Sequence, residues 1–155
     1  MANHHWTVLL YFSGDTPTLA ASIKADVEEA LRARPQNISV AIQADLPAPD
    51  GARRYVYRPG ETPSVEELGQ IDSGSPATFR EFLLWGLNQA PADRYGLIVG
   101  GTGMFDPNSV VGHPDHNWTD VFAICDDAAA RNAMDIADFR GVLEAVLDEA
   151  CLDRL

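Results

Sequence analysis

The most suggestive segment for chemistry is "GGTG" at residues 100–103, which directly follows the apolar run at residues 95–99. Glycines after a strand let another group approach the backbone closely, and backbone amides in such a loop can hold a developing oxyanion. Thr102 lies within the segment, but a hydroxyl group cannot serve as a general base near neutral pH. The segment therefore indicates that some group lies close to the backbone of residues 100–103, and the residue types alone leave open which group that is.

Two cysteines are the candidate nucleophiles. Cys125 lies in the strand-like run "VFAICDD", and its simplest interpretation is a side chain packed in the core. Cys151 lies in "DEACLDRL" at the late part of a predicted helix, where a structural thiol is favoured over a catalytic one. Two cysteines also make no disulfide framework.

Histidines and paired carboxylates follow the glycine segment. His113 and His116 in "GHPDHNW" could supply a displaced catalytic base or a weak metal site, although solvent-exposed histidines are the commoner case. Asp126 and Asp127 form a carboxylate pair that could anchor a loop or bind a cation. Calcium suits such oxygen ligands, and the competing interpretation is a helix cap or turn.

Composition narrows the class of protein. The chain has 155 residues, with 11 Lys and Arg against 23 Asp and Glu, and a net charge of −12. Such a surface repels nucleic acid and anionic lipid, so neither is expected as a partner. No apolar run approaches the length of roughly 20 residues that a membrane span needs, and the start lacks the basic region of a signal peptide. We expect a single cytoplasmic domain over residues 1–155.

Strand and helix patterns alternate along the chain and predict an α/β sandwich with a mainly parallel sheet. The segment 59–76 is polar and rich in turn residues, so we expect a surface loop there. The other predicted elements are strands at 6–12, 37–45, 95–99 and 121–127, a hairpin arm at 53–58, and helices over 17–34, from Pro76 after an N-cap at Ser75, and over 136–150.

Three collinear blocks carry a resemblance to a known family. They are "WTVLLYFSGD", "GSPATFREFLLWGLNQAPADRYGLIVGGTG" and "AICDDAAARNAMDIADFRGVL". Together they resemble the clostripain family of caspase-like cysteine peptidases, and the long central block is the most specific of the three. The resemblance implies a caspase-like three-layer sandwich, incomplete at its C-terminal end.

The resemblance also implies where a catalytic pair should lie. In that family a histidine between two glycines pairs with a cysteine on the next strand, and cleavage follows arginine or lysine. Gly101 and Gly103 match the glycines, whereas Thr102 occupies the histidine position. The cysteine-bearing strand is expected beyond the end of this sequence. An active site would therefore need His113 or His116 as a substitute base, unless Thr102 is an introduced substitution that silences the enzyme.

Two functions therefore stay open. One is a catalytically incomplete peptidase homologue that acts as a regulatory or binding module with a protein partner. The other is the N-terminal part of an endopeptidase specific for arginine or lysine, whose cysteine lies on a second chain. Anion binding by the glycine loop is a weaker third interpretation, since "GGTG" lacks the spacing of a dinucleotide-binding motif.

Overall fold

The structure is a computed structural model that describes residues 5–14, 16–101, 104–105, 122–127 and 129–150. No helix in these ranges is long and apolar enough to span a membrane. The elements in chain order are β1 (Trp6–Ser13), α1 (Pro17–Ala33), β2 (Ile38–Asp45), β3 (Ala52–Tyr57), β4 (Ser64–Gly69), α2 (Pro76–Gln89), β5 (Arg94–Gly101), β6 (Met104–Phe105), β7 (Phe122–Asp127), β8 (Asn132–Asp135) and α3 (Ile136–Glu149).

A five-stranded sheet in the order β4-β3-β2-β1-β5 forms the centre of the molecule. Strand β1 pairs in parallel with both β2 and β5, as its continuous apolar run predicts. Strands β3 and β4 extend the sheet in antiparallel fashion. Strands β6, β7 and β8 form a separate antiparallel sheet.

Side chains alternate across the central sheet and build one core on each face. On one face, β1 and β2 pack against helix α1, and the buried residues include Leu10, Phe12, Ile23, Val27 and Ile42. On the other face they pack against α2 and α3, and the buried residues include Leu9, Tyr11, Phe79, Phe82 and Val146. The predicted three-layer α/β arrangement is confirmed.

The helix starts lie where proline predicts them. Helices α1 and α2 begin at Pro17 and Pro76, because proline has its φ angle preset for the first helical turn and needs no hydrogen-bond acceptor there. The preceding Thr16 and Ser75 make no capping hydrogen bond through their side chains. Only α3 has such a cap among the described helices, since the carboxylate of Asp135 accepts from a backbone N–H.

Several local expectations were wrong. Residues 64–69 form strand β4 at the edge of the sheet, although the polar segment around them predicted only loop. The apolar run at residues 95–99 is typical of a buried strand, yet β5 is half-exposed. Strand β7 does not join the parallel sheet, because it pairs with β6 and β8 instead. Ile136 fits the apolar periodicity that predicts helix α3, but its side chain is 48% exposed.

Candidate functional site

The carboxyl ends of the three parallel strands β2, β1 and β5 lie side by side at one end of the sheet. Ser13 at the end of β1 lies in register with Asp45 on one side and Gly101 on the other. In open α/β sheets, ligands usually bind outside this edge. The glycine segment singled out in the sequence therefore begins at the edge where a functional site is expected.

Gly100 and Gly101 are packed tightly against strand β1. A Cβ atom added at Gly100 would lie 2.8 Å from Cδ1 of Phe12, and one added at Gly101 would lie 2.8 Å from the carbonyl oxygen of Ser13. Both distances are shorter than van der Waals contact allows. For these two glycines, the group that approaches the backbone closely is the neighbouring strand. Thr102 and Gly103 lie outside the described residues.

Asp127 ends strand β7 with a buried side chain that is 0% exposed. Its Oδ2 accepts hydrogen bonds from the backbone N–H of Ser73 at 2.8 Å and from the Ser73 hydroxyl at 3.3 Å. Its Oδ1 accepts from the backbone N–H of Ala130 at 2.8 Å. The carboxylate thus joins the end of β7 to the loop before α2, which is the geometry of a loop anchor.

Ser73 connects this anchor to the end of β1. The phenol of Tyr11 donates a 2.9 Å hydrogen bond to the Ser73 carbonyl oxygen, and the hydroxyl groups of Ser13 and Ser73 lie 2.9 Å apart. Burial raises the pKa of Tyr11 well above its usual value, and the nearby ionisable side chains of Cys125, Asp45, Asp72 and Asp127 add to the effect. Tyr11 therefore stays a neutral hydrogen-bond donor.

The loop of Asp72, Ser73 and Gly74 is also fastened to the start of β8. Asp72 accepts a 3.0 Å hydrogen bond from the Gly74 N–H and a 2.8 Å bond from the Asn132 side-chain amide. A Cβ atom at Gly74 would lie 2.5 Å from the carbonyl oxygen of Asn132, so only glycine fits. Sequence reasoning missed this loop, although the turn residues "DSG" just before Pro76 were a usable signal.

The other predicted site residues are only partly described. The backbone of Asp126 lies opposite Ala133 in the β7–β8 ladder. His113, His116 and Cys151 lie outside the described residues. Within the described ranges, no three His, Cys, Asp or Glu side chains are grouped to hold a metal ion.

Cys125 is a core residue. It is 0% exposed and belongs to the same cluster as Tyr11, Met134 and Val146. Burial raises the pKa of its thiol to about 12. Because the thiolate is the nucleophilic form, a thiol with this pKa is inert near neutral pH. The sequence-based interpretation of Cys125 as a packed strand residue agrees with this environment.

Comparison with solved structures shows which known proteins share this fold. No protein-family model matches the sequence, and no curated protein matches it. Among solved structures, a cysteine protease from B. fragilis aligns with a TM-score of 0.54 and 18% identity over 73% of this chain and 98% of that chain. A secreted C11 cysteine protease from Bacteroides thetaiotaomicron, solved with an irreversible peptide inhibitor, aligns with a TM-score of 0.63 and 16% identity over 90% of this chain.

A third match is an inactive zymogen of a C11 protease from Parabacteroides distasonis, with a TM-score of 0.52 and 21% identity over 68% of this chain. The present chain spans 39% of the B. thetaiotaomicron chain and 33% of the P. distasonis chain. All three matches agree with the fold that the sequence blocks implied. The chain has the caspase-like α/β fold of the C11, clostripain-like cysteine proteases.

Proposed function

We propose that this chain is a peptidase-homologous domain that does not cleave peptides by itself and acts by binding a polypeptide partner. Two observations support the absence of activity. Thr102 occupies the position that matches the family histidine, and threonine supplies no base near neutral pH. Cys125 is buried, and its raised pKa keeps the thiol protonated.

The observation that carries the binding role is the open side of strand β5. In the described part of the chain, β5 pairs with β1 alone and forms one edge of the central sheet. An edge strand presents unpaired N–H and C=O groups that can pair with a strand from another chain.

The face of β5 that lies on the same side of the sheet as helix α1 is also poorly covered. Ile98 on this side is 53% exposed, and Trp6 at the start of β1 is 39% exposed. Apart from Gly96 itself and its two chain neighbours, no atom of the described residues lies within 4 Å of where a Cβ of Gly96 would be. An added strand could therefore pair with β5 while its partner chain covers Ile98 and the open space above Gly96.

The second candidate function also depends on a strand that pairs with the free side of β5. Strand β5 leads into Gly100 and Gly101, so a strand added parallel to it would bring its carboxyl end to the glycine segment. If that strand carried a cysteine, the two chains together would supply the nucleophile of an endopeptidase for arginyl or lysyl peptides. A base would still be needed, and His113 and His116 are the candidates in this chain.

Cleavage is tested with the purified chain and arginyl and lysyl peptide substrates, with and without calcium. We expect no turnover, and we expect Thr102→His alone to give none. Turnover that disappears after thiol alkylation would overturn the proposal. Turnover gained by Thr102→His would show that a cysteine of this chain is a competent nucleophile.

Binding is tested by native purification from the source cells and intact-mass analysis of the bound chains. We expect one stoichiometric partner that Ile98→Asp removes, because a buried aspartate opposes docking at that edge. Val65→Asp is the matched control, since Val65 is 57% exposed on the opposite edge strand β4. A chain that purifies alone, or a partner lost equally in both variants, contradicts a binding role for β5. A partner that bears a cysteine strand supports the two-chain peptidase.

A further inference from the structure

A cavity of about 510 Å³ lies at the opposite end of the sheet from the glycine segment. It borders the starts of the parallel strands β1 and β2, where His5, Asn37 and Ser39 contribute to its wall. Arg58, which follows β3, and Pro91, which follows α2, close other sides. This cavity is therefore separate from the carboxyl edge where Ser13, Asp45 and Gly101 meet.

The charge of the cavity differs from that of the chain as a whole. The chain carries 23 Asp and Glu against 11 Lys and Arg, yet none of the described residues lining the cavity is acidic. Arg58 contributes a guanidinium group, and His5, Gln36 and Asn37 contribute polar side chains. An anionic group would meet the Arg58 guanidinium here, in competition with the carboxylate of Glu61, which pairs with Arg58, and near that of Asp93, which accepts from the His5 backbone N–H.

Arg58 is held in place for such a role. Its Nε donates a 2.8 Å hydrogen bond to the Gln89 carbonyl oxygen, and its Nη2 donates a 3.0 Å bond to Oε1 of the same residue. Its Nη1 donates at 3.2 Å to Glu61, whose side chain is 58% exposed. Since a guanidinium group has five N–H donors, these bonds leave two N–H groups without an acceptor among the described residues. A planar fork with donors to spare matches a carboxylate.

The remaining wall is apolar or neutral. Pro59, Ala90 and Pro91 provide apolar surface, and His5 and Ser39 are already paired through Nε2 and Oγ at 2.9 Å. A ligand that fits this wall has an apolar body beside its charged end. We propose that the cavity binds a small organic carboxylate with an apolar body, whose carboxylate pairs with Arg58.

Glu61 gives the proposal a distinctive prediction. The Glu61 carboxylate competes with the carboxylate of the ligand, because both pair with the Arg58 guanidinium. Glu61→Gln should therefore tighten ligand binding by about threefold, as expected for the loss of an exposed ion pair. Arg58→Gln should weaken binding by about tenfold or more, because it removes the charged donor. Arg53→Gln is the matched control, since Arg53 pairs with Glu67 away from the cavity.

The test is a titration of the ¹⁵N-labelled chain with 3-phenylpropionate, followed through backbone amide shifts. We expect saturable shifts at His5, Asn37 and Arg58 at millimolar concentration, and much weaker shifts with the uncharged 3-phenylpropanamide. Asn37→Trp, which fills the cavity from its exposed rim, should abolish them without touching Arg58. The proposal is overturned if no saturable shift appears, if the amide binds equally well, or if Glu61→Gln leaves the affinity unchanged.

Discussion

Asp127 and Ser73 are joined by two hydrogen bonds, from the backbone N–H at 2.8 Å and from the hydroxyl at 3.3 Å, although 54 positions separate them in the chain. The contact ties the small β6-β7-β8 sheet to the loop that precedes α2. Because Ser73 also contacts Tyr11 and Ser13, the same contact connects that small sheet with the end of β1. Asp127 thus provides a buried polar link between the two sheets, next to the hydrogen bond from Asn132 to Asp72.

Replacing Asp127 by alanine should lower the free energy of unfolding by about 2–4 kcal/mol, because buried N–H groups of Ser73 and Ala130 lose their acceptor. Urea unfolding followed by circular dichroism measures the change. Asp148→Ala, at an exposed position near the end of α3, is the control and should change stability little. Equal stability of the two variants would show that Asp127 is not an anchor.

Replacing Gly101 by alanine should cost about 1–3 kcal/mol of stability, because the new Cβ would press on the carbonyl oxygen of Ser13 at 2.8 Å. Gly96→Ala in the same strand is the matched control, since no other described residue beyond its chain neighbours comes within 4 Å of its Cβ position. That control should be neutral, or stabilising by up to about 1 kcal/mol through the unfolded state. Thermal unfolding of both variants measures the two changes in stability. If Gly101→Ala is as stable as the unmodified chain, the contact with β1 does not require a glycine at this position.

The main elements were predictable from the sequence where burial leaves a periodic signal. The apolar run of β1 and the helical spacing of Ile23 and Val27 in α1 identified both elements. Strand β4 left no such signal, because its side chains are almost all exposed and its place depends on backbone pairing with β3. The burial of β5 was overestimated, since an apolar run does not show whether a second neighbour covers it.

The candidate site was predictable in parts. Asp127 and the glycines stood out by residue type, but the partner of each is distant in sequence. Ser73 is an ordinary loop serine until the fold brings it to Asp127. The close neighbour of Gly101 is likewise Ser13 on another strand. A single sequence carries residue types and spacing, whereas these contacts depend on topology.

Cys125 should resist alkylation in the folded protein at pH 8, because burial raises the pKa of its thiol to about 12 and keeps it neutral. Iodoacetamide treatment followed by mass mapping of the Cys125 peptide measures this. The same peptide should react readily in urea, which serves as the control. Rapid modification of the folded chain would restore Cys125 as a candidate nucleophile.

The Cys125 thiol should also lower the free energy of unfolding as the pH rises above about 8.5. A thiol whose pKa is raised on folding contributes stability that is complete below the unfolded pKa, about 8.5, and is lost as pH rises towards about 12. One such group gives a slope of at most about 1.4 kcal/mol per pH unit. Cys125→Ala should flatten the decline between these values, and the remaining slope should reflect Tyr11, whose pKa is also raised. An unchanged slope in Cys125→Ala would contradict the assignment.

Arg54 and Gln43 should show strong coupling in a double-mutant cycle. Arg54 is 6% exposed, and its Nε donates a 2.7 Å hydrogen bond to Oε1 of Gln43, which is 1% exposed. The guanidinium also lies 5.1 Å from the centre of the Trp85 ring. Arg54→Met alone should cost about 2–3 kcal/mol, because it leaves the buried Gln43 amide without this donor.

Combining Arg54→Met with Gln43→Leu should recover most of that loss, since two apolar side chains can replace a buried polar pair at little net cost. Urea unfolding of the two single variants and the double variant gives the coupling energy. Arg53→Met, at the neighbouring and more exposed position, is the control and should not be rescued by Gln43→Leu. If the losses from Arg54→Met and Gln43→Leu simply add, the hydrogen bond between the two side chains contributes nothing to stability. In that case the contribution of Arg54 comes from its contacts with the Trp85 ring and with Glu81, whose Oε1 lies 3.7 Å from the guanidinium.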